Sequence, residues 1–270
     1  MQYDPIKRSL GGIFNKSLFL RRLFYRLLDL LLLRAWHVHS ELRKWMKTAP
    51  VNADILDAGA GFGQYTYWLY SKSWTYNITS VDVKEEQVED CNRFFGRLGA
   101  EHVKFSVADL TKFVNEDTYD LALSVDVMEH IEEDVLVFSN ICRSLKKGGM
   151  LLVSTPSDQG GSDVHGDEDD SFIEEHVRDG YNIDEIKEKM LSAGFSKVEA
   201  RYSYGAPGKI SWRLSMKYPI LFLGKVPRWF GFMILPFYFL ITYPFSFILN
   251  FLDVRMDHPT GTGLIVKAWK

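Results

Sequence analysis

The run Leu56-Asp57-Ala58-Gly59-Ala60-Gly61-Phe62-Gly63 ends a short apolar stretch on an acid and follows it with three glycines at alternate positions. Glycines so spaced let the backbone turn tightly and approach a ligand, and a helix starting just beyond presents free N–H groups to negative charge. The dinucleotide fingerprint G-x-G-x-x-G needs a small residue at position 64, where this chain carries Gln64. The pattern is instead D-x-G-x-G-x-G, beginning at Asp57. Two more acids close apolar runs, Asp82 in SVDV and Asp109 in VADL. Ligands of parallel sheets gather at the carboxyl ends of strands, so three acids at successive strand ends mark a candidate site. Asp126, Glu129 and His130 follow a fourth apolar run at i, i+3 and i+4, a spacing that sets three side chains on one helical face. His130 is a candidate general base. His176, with Arg178 and Tyr181 in EEHVRDGY, either faces an acceptor pocket or makes ordinary contacts at a helix entry; His165 in DVHGDEDD reads as part of a solvated acidic loop.

Alternation of glycines from an acid resembles motif I of the class I methyltransferases that use S-adenosylmethionine. From about residue 50 to 204 the chain is similar to that family in the order of its landmarks: the loop, Asp82, Asp109, SVDVMEHI, LKKGGMLLVSTP, and HVRDGY followed by IDEIKEKMLSAGF. The resemblance implies S-adenosylmethionine held by Asp57, Gly59, Ala60, Gly61, Gly63, Asp82, Val83, Asp109, Leu110 and Ser124. In that scheme Asp57 and the loop amides serve the amino-acid end, Asp82 and Asp109 the nucleoside, and Val83 and Leu110 pack beside adenine. It also implies that His130, Glu129 and His176 are the candidates for catalysis. The stretch DVMEH is similar to the acid-x-x-Glu-His segment of quinone-pathway O-methyltransferases, a branch of the family, with Asp126 in place of that branch's Glu. This similarity implies a divalent cation on Asp126, Glu129 and His130, lowering the pKa of an acceptor hydroxyl. The alternatives are a Glu-His pair that only hydrogen-bonds the loop, and His130 as a metal-free base.

The elements that must position these residues alternate. ADILDAG, YNITSVDV, VKFSVADL, YDLALSVDV and MLLVSTP read as strands, and QYTYWLYSKS, EEQVEDCNRFFGRLG and EEDVLVFSNICRSLKKGG as intervening helices. Asn182 caps a later helix, and FSKVEARYSYG and GTGLIVKAWK read as the last two strands. The fold class expected is α/β, a doubly wound, mostly parallel seven-stranded sheet of the Rossmann-like methyltransferase kind. One or two N-terminal helices over 17–46 precede it, and an apolar insertion separates the last two strands. The expected parts are 1–50 as basic amphipathic helices, 51–204 with 259–270 as the cofactor-binding domain, and 205–258 as the insertion.

The net charge of -3 hides an asymmetry. Residues 1–50 are net +7 and 205–256 net +5, while 51–204 is net -16. Both basic segments are also rich in long apolar runs, and WFGFMILPFYFLITYPFSFILNFL, residues 229–252, carries no charge at all. Basic and apolar together fit an anionic membrane surface; nucleic acid would want the charge without the apolar run. By length alone the stretch could span a bilayer. Pro219, Pro227, Pro236 and Pro244 recur every eight or nine residues, which predicts short helices or turns, and a chain that rejoins its sheet must return on the side it left. The expectation is a peripheral, one-sided contact with the membrane and a lipophilic small-molecule acceptor; a homodimer interface is the alternative use of the same surface. Cys91 and Cys142 lack metal or disulfide spacing, and no cleavable leader is read in Arg21–Trp36, so the expected location is cytoplasmic, on the inner face of the membrane. A soluble-metabolite methyltransferase and a non-catalytic cofactor-binding scaffold are the competing readings.

Overall fold

The computed structural model describes residues 17–160 and 177–270. Seven strands, β1 (Asp54–Ala58), β2 (Asn77–Asp82), β3 (Val103–Val107), β4 (Tyr119–Val125), β5 (Leu145–Pro156), β6 (Lys197–Ser203) and β7 (Gly263–Trp269), form one sheet ordered β3-β2-β1-β4-β5-β7-β6. Every pairing is parallel except those of β7, which is antiparallel to both β5 and β6. This is the doubly wound, mostly parallel sheet expected from the alternation. Its central strands are apolar on both sides because both sides are covered. The strand order reverses between β1 and β4, and in sheets of this kind ligands bind at the carboxyl ends of the strands flanking that point.

Helices α1 (Leu18–Leu31), α2 (Leu33–Trp45), α3 (Gln64–Lys72) and α4 (Glu85–Arg97) cover one face, where Tyr25, Leu42, Trp68 and Phe95 pack with Ile55, Ile78 and Leu121. Helices α5 (Asp134–Ser144) and α6 (Ile183–Ser192) cover the other, where Phe138, Ile141 and Met190 pack with Leu56, Val81 and Leu151. The N-terminal segment forms two helices because Leu32 between them is extended. Asn182 caps α6 as its sequence predicts, accepting from the backbone N–H groups of Asp184 and Glu185.

The insertion departs from expectation in one respect. It contains α7 (Ala206–Trp212), a π-turn (Arg213–Lys217), α8 (Tyr218–Lys225) and then one continuous helix, α9 (Arg228–Arg255). Pro219 opens α8 and Pro227 separates α8 from α9, but Pro236 and Pro244 lie inside α9 and do not end it. Each interior proline removes one intrahelical bond and costs about 3 kcal/mol in a helix. Packing of α9 along α7 offsets that loss. The packed seam is made of small and polar residues: Ser211 donates to Asn250 Oδ1 at 2.6 Å, the Gly208 N–H to Asp253 Oδ2 at 2.8 Å, and Ser246 is buried beside them. The large side chains point outward, with Trp229, Met233, Phe237, Leu240, Ile241, Phe245, Ile248 and Leu252 all exposed, three or four residues apart except for the adjacent pair Leu240–Ile241. Leaving that face in water rather than covering it costs on the order of 10 kcal/mol.

Because Ser203 of β6 pairs with Gly263 of β7, the chain leaves and rejoins the sheet at one place. The foot of α9 is latched there. Asp253, fully buried, accepts from the Tyr204 N–H (3.1 Å) and Gly208 N–H (2.8 Å), and faces His37 Nε2 (2.8 Å) and His258 Nε2 (3.3 Å). Burial pulls His37 below its ordinary pKa, so the neutral ring donates from Nε2 to Asp253 while Nδ1 accepts from Arg201 at 3.2 Å. Arg201 in turn meets Glu41 of α2 at 3.2 Å.

Candidate functional site

The glycine loop lies between β1 and α3 with all three glycines at positive φ. Two of them leave no room for a side chain. A Cβ on Gly59 would stand 2.3 Å from Val127 Cγ2, and one on Gly63 would stand 3.0 Å from the Phe105 ring. The Gly59 and Ala60 N–H groups both donate to the Val81 carbonyl, and Gly63 N–H to the Ala60 carbonyl. Asp82 holds the loop open from the next strand: Gly61 N–H donates to its Oδ2 at 2.8 Å and Lys84 N–H to its Oδ1 at 2.9 Å. Each oxygen keeps a second lone pair for a ligand hydroxyl. Val83, 62% exposed beside it, presents an apolar flank.

The other sequence candidates divide. Asp57 is buried beneath the loop, accepting from the Thr66 hydroxyl at 2.6 Å, and Thr66 also meets Ser80. It ties α3 to β1 and β2. Asp109, two residues past β3, accepts from the Thr111 N–H and hydroxyl, and Lys112 lies 3.1 Å from its other oxygen. These bonds hold the carboxyl down at about 2. Of the two residues expected beside adenine, Leu110 has its side chain buried in the core under α5, whereas Val83 is exposed. Ser124 is fully buried and its hydroxyl has no hydrogen-bond partner.

Burial pushes Asp57 up to about 6, with the Asp82 charge adding to the effect. The folded chain therefore keeps a proton that the unfolded chain gives up near 4. A raised carboxyl pKa makes folding stability fall as pH rises through that window, from about 4 to about 6, and level off above it. Asp57→Asn should gain up to about 3 kcal/mol on wild type across this interval. Denaturant melts of both proteins at the two ends of the interval check this, and parallel pH profiles would show that Asp57 ionises normally.

Asp126, Glu129 and His130 do not gather. The segment expected to be helical is a three-residue 3₁₀ turn (Met128–His130), entered by Asp126 at φ 51°, so the i, i+3, i+4 spacing does not produce a common face. Asp126 turns to Arg34 of α2. Glu129 is buried against Thr155, whose hydroxyl donates to Oε2 at 3.1 Å, and His130 is exposed on the turn. Among the described residues no group of three His, Cys, Asp or Glu is arranged to hold a metal, and this carboxylate-histidine set does not fit a cation. His176 and His165 lie outside the described residues. Arg178 and Tyr181 brace the turn: Arg178 donates to the Met128 carbonyl at 2.7 Å, and Tyr181 to Asp134 at 2.8 Å.

Sequence reasoning missed the part contributed by the N-terminal helices. Gln64, at the position where the dinucleotide fingerprint needs a small residue, donates to Asp29 of α1 at 2.8 Å, and Tyr25 and Arg21 both donate to the Phe62 carbonyl. Arg34 pairs with Asp126, its guanidinium lies close to the Tyr65 hydroxyl, and its backbone N–H donates to Tyr204 at 2.9 Å. Yet neither Arg34 Nε nor Tyr65 Oη, both buried, has a hydrogen-bond partner of acceptable geometry. Burial pushes Tyr65 up to about 12, so at neutral pH it is a donor. The Arg34 guanidinium, the Tyr65 hydroxyl and the Asp126 carboxylate thus converge beside the glycine loop, which Val127, next to Asp126, touches at Gly59. Buried polar groups seldom go unpaired, and this arrangement fits a ligand's zwitterionic end. The only sequence signal was Arg34's place among the N-terminal cations.

Comparisons with known proteins bear on the fold and the family. Phosphoethanolamine N-methyltransferase 1 of Triticum aestivum is 30% identical over 151 residues, covering 54% of this chain and 29% of that protein. A ubiquinone biosynthesis O-methyltransferase of Rickettsia conorii is 24% identical over 102 residues, covering 38% of this chain and 34% of that protein. The chain thus spans less than half the length of the curated relatives it matches first. Among solved structures, Haemonchus contortus phosphoethanolamine N-methyltransferase 2 in complex with S-adenosyl-L-methionine superposes with a TM-score of 0.57 at 18% identity, covering 81% of this chain and 49% of that one. An S-adenosylmethionine dependent methyltransferase from Mesorhizobium loti superposes with a TM-score of 0.53 at 17% identity, covering 85% of this chain and 97% of that one. The family described as "Methyltransferase domain" matches residues 51–195, more than half of the chain and all of the loop, strand ends and turn just described, and the chain belongs to that family.

Proposed function

We propose that this chain transfers a methyl group from S-adenosylmethionine to a lipophilic small molecule presented at a membrane surface. The observation that carries the methyl-transfer reading is the glycine cradle hung on Asp82 at the point where strand order reverses. When bound, S-adenosylmethionine supplies a methyl group already activated by its sulfonium, so the protein's task is to bind, orient and exclude water. Asp82 takes the ribose hydroxyls on the lone pairs its two amide bonds leave, and Val83 flanks the base. Asp109 keeps one oxygen, shared with Lys112, for the base's amino group. Arg34 and Tyr65 donate to the carboxylate of the amino-acid end, while Asp126 receives its ammonium. The Arg34–Asp126 ion pair would then open as its two members take the two charges of the ligand. Glu129, fixed by Thr155, positions the turn that carries His130, the candidate base for an acceptor that must lose a proton. No step runs through a metal.

Arg34→Ala is expected to weaken S-adenosylmethionine binding at least tenfold, while binding of methylthioadenosine, which lacks the amino-acid end, stays unchanged. Calorimetry with both ligands checks this; equal losses for the two would place Arg34 elsewhere.

The lipophilic acceptor and a peripheral location at a membrane are supported by the exposed face of α9 and by the amphipathic α1, whose helical neighbour α2 carries Arg34, and the free Cys91 and Cys142 fit its cytoplasmic side. A labelled-methyl transfer assay on a total lipid extract, with mass spectrometry of the product, tests the acceptor. Label recovered only in water-soluble metabolites would overturn the lipophilic reading, and absence of cofactor binding by calorimetry would overturn the enzyme.

A further inference from the structure

Deepening the proposed function, and resting on it for the identity of the acceptor, we propose that α1 and the α8–α9 arm together form one bilayer-docking surface that enters a single leaflet and does not cross.

The two segments lie some two hundred residues apart in sequence, yet they meet. Tyr243 Oη of α9 donates to the Leu30 carbonyl of α1 at 3.1 Å, Trp36 Nε1 donates to the same carbonyl at 3.0 Å, and the Trp36 ring packs edge-on against Phe247 at 4.9 Å. Leu30 and Phe247 are both exposed at this junction, so the outward face of α1, Leu23, Leu27 and Leu30, runs into that of α9. Leu240 (76% exposed) and Ile241 (69%) stand at its centre.

Three features select a bilayer as the occupant. The first is the inversion of the arm: serine, asparagine and glycine form its seam and the large apolar side chains face out. That is how helices pack when their surroundings are hydrocarbon. The second is charge. Arg22 and Arg26 stand exposed beside Leu23 and Leu27, Lys225 ends α8, and the Arg255 guanidinium lies over the Phe251 ring at 3.9 Å, where a cation would sit at a headgroup layer. The third is length. Met233–Arg255 is long and apolar enough to cross a bilayer by composition. From Tyr243 onward, however, α9 is tied to Leu30, Trp36 and His37 of the sheet domain. Only residues 228–242 stand clear, a helix of about 22 Å against a hydrocarbon core of about 30 Å. Docking on this face sets the α1–α2 joint, and Arg34 just beyond it, against the membrane.

The test is flotation of the full chain with vesicles of phosphatidylcholine alone and of phosphatidylcholine with phosphatidylglycerol. The chain should float with both, more with the anionic vesicles, and salt should reduce the difference between them. Leu27→Glu and Leu240→Glu should each cut the floated fraction at least tenfold while leaving S-adenosylmethionine binding, the check on folding, unchanged. A Lys225→Cys variant on docked vesicles should react with an impermeant maleimide added outside, since the native Cys91 and Cys142 are buried. A chain that stays unfloated with both vesicles overturns the proposal. So does a wild type that is a dimer in solution, fails to float, and becomes monomeric on Leu240→Glu, since the face is then an interface between copies. Protection of Lys225→Cys until detergent is added overturns the single-leaflet geometry. A chain that floats but binds no S-adenosylmethionine fails the enzyme reading alone. One that methylates a detergent-dispersed lipid without floating fails this inference alone.

Discussion

Asp82→Ala should lower S-adenosylmethionine affinity by about a hundredfold or more, equivalent to some 3 kcal/mol, because two kinds of interaction go at once. The carboxylate anchors the glycine loop through the Gly61 and Lys84 N–H groups at 2.8 and 2.9 Å, and the same oxygens are the acceptors offered to the ribose. Charge-assisted bonds of this kind contribute about 1.5–3 kcal/mol each when the charged partner is removed. Asp82→Asn keeps one acceptor and should lose distinctly less. Calorimetry on both variants is the measurement; an Asp82→Ala protein that binds as wild type would remove Asp82 from the site. The loop itself lies at the surface and water can replace the lost acceptor, so the melting temperature should fall by only a few degrees.

Asp253→Ala should have the opposite profile, a large loss of stability with the cofactor cleft still formed. Removing this fully buried carboxylate strands the Tyr204 and Gly208 N–H groups and leaves His37 without its acceptor. Breaking a buried, hydrogen-bonded pair from one side costs about 3–5 kcal/mol, which for a chain of this size lowers the melting temperature by roughly 10 °C. The pH profile carries a signature too. Burial alone would raise the Asp253 carboxyl, but the hydrogen bonds it accepts from His37 and the Gly208 N–H hold it below its ordinary value. A depressed carboxyl pKa stabilises the fold above the unfolded value near 4, and that contribution is lost as pH falls below it. Thermal melts from neutral to acid pH should therefore converge for wild type and Asp253→Ala on the acid side. A variant that melts with wild type throughout would show that the latch contributes nothing to holding α9.

The two variants also separate what could be read from residue order from what could not. Asp82 was identifiable because its surroundings are local: an acid ending an apolar run, 21 residues after the middle glycine of a spaced set, must sit at a strand end beside that loop. Asp253 was unremarkable in sequence, the single acid in a long apolar block. Its role comes from His37 and Tyr204, which lie 216 and 49 residues away in the chain.

Residue order by itself determined the seven strands and their mostly parallel pairing, the left-handed glycines at 59, 61 and 63, the cap at Asn182 and the placement of Asp82 and Val83. All of these depend on backbone preference and on which side of one strand or helix a residue occupies, and such periodicities act over a few residues. Tertiary structure decided the fate of Asp126, Glu129 and His130. Their spacing would have shared a helical face, but a 3₁₀ turn scattered them and Arg34 took Asp126. It likewise decided that Leu110 is core, that two prolines can lie within one 28-residue helix supported along a polar seam, and that Arg34, Tyr65 and Tyr204 converge beside the loop. The physical reason is the same throughout: spacing fixes where a side chain points on its own element, whereas its partner is chosen by packing between elements far apart in the chain.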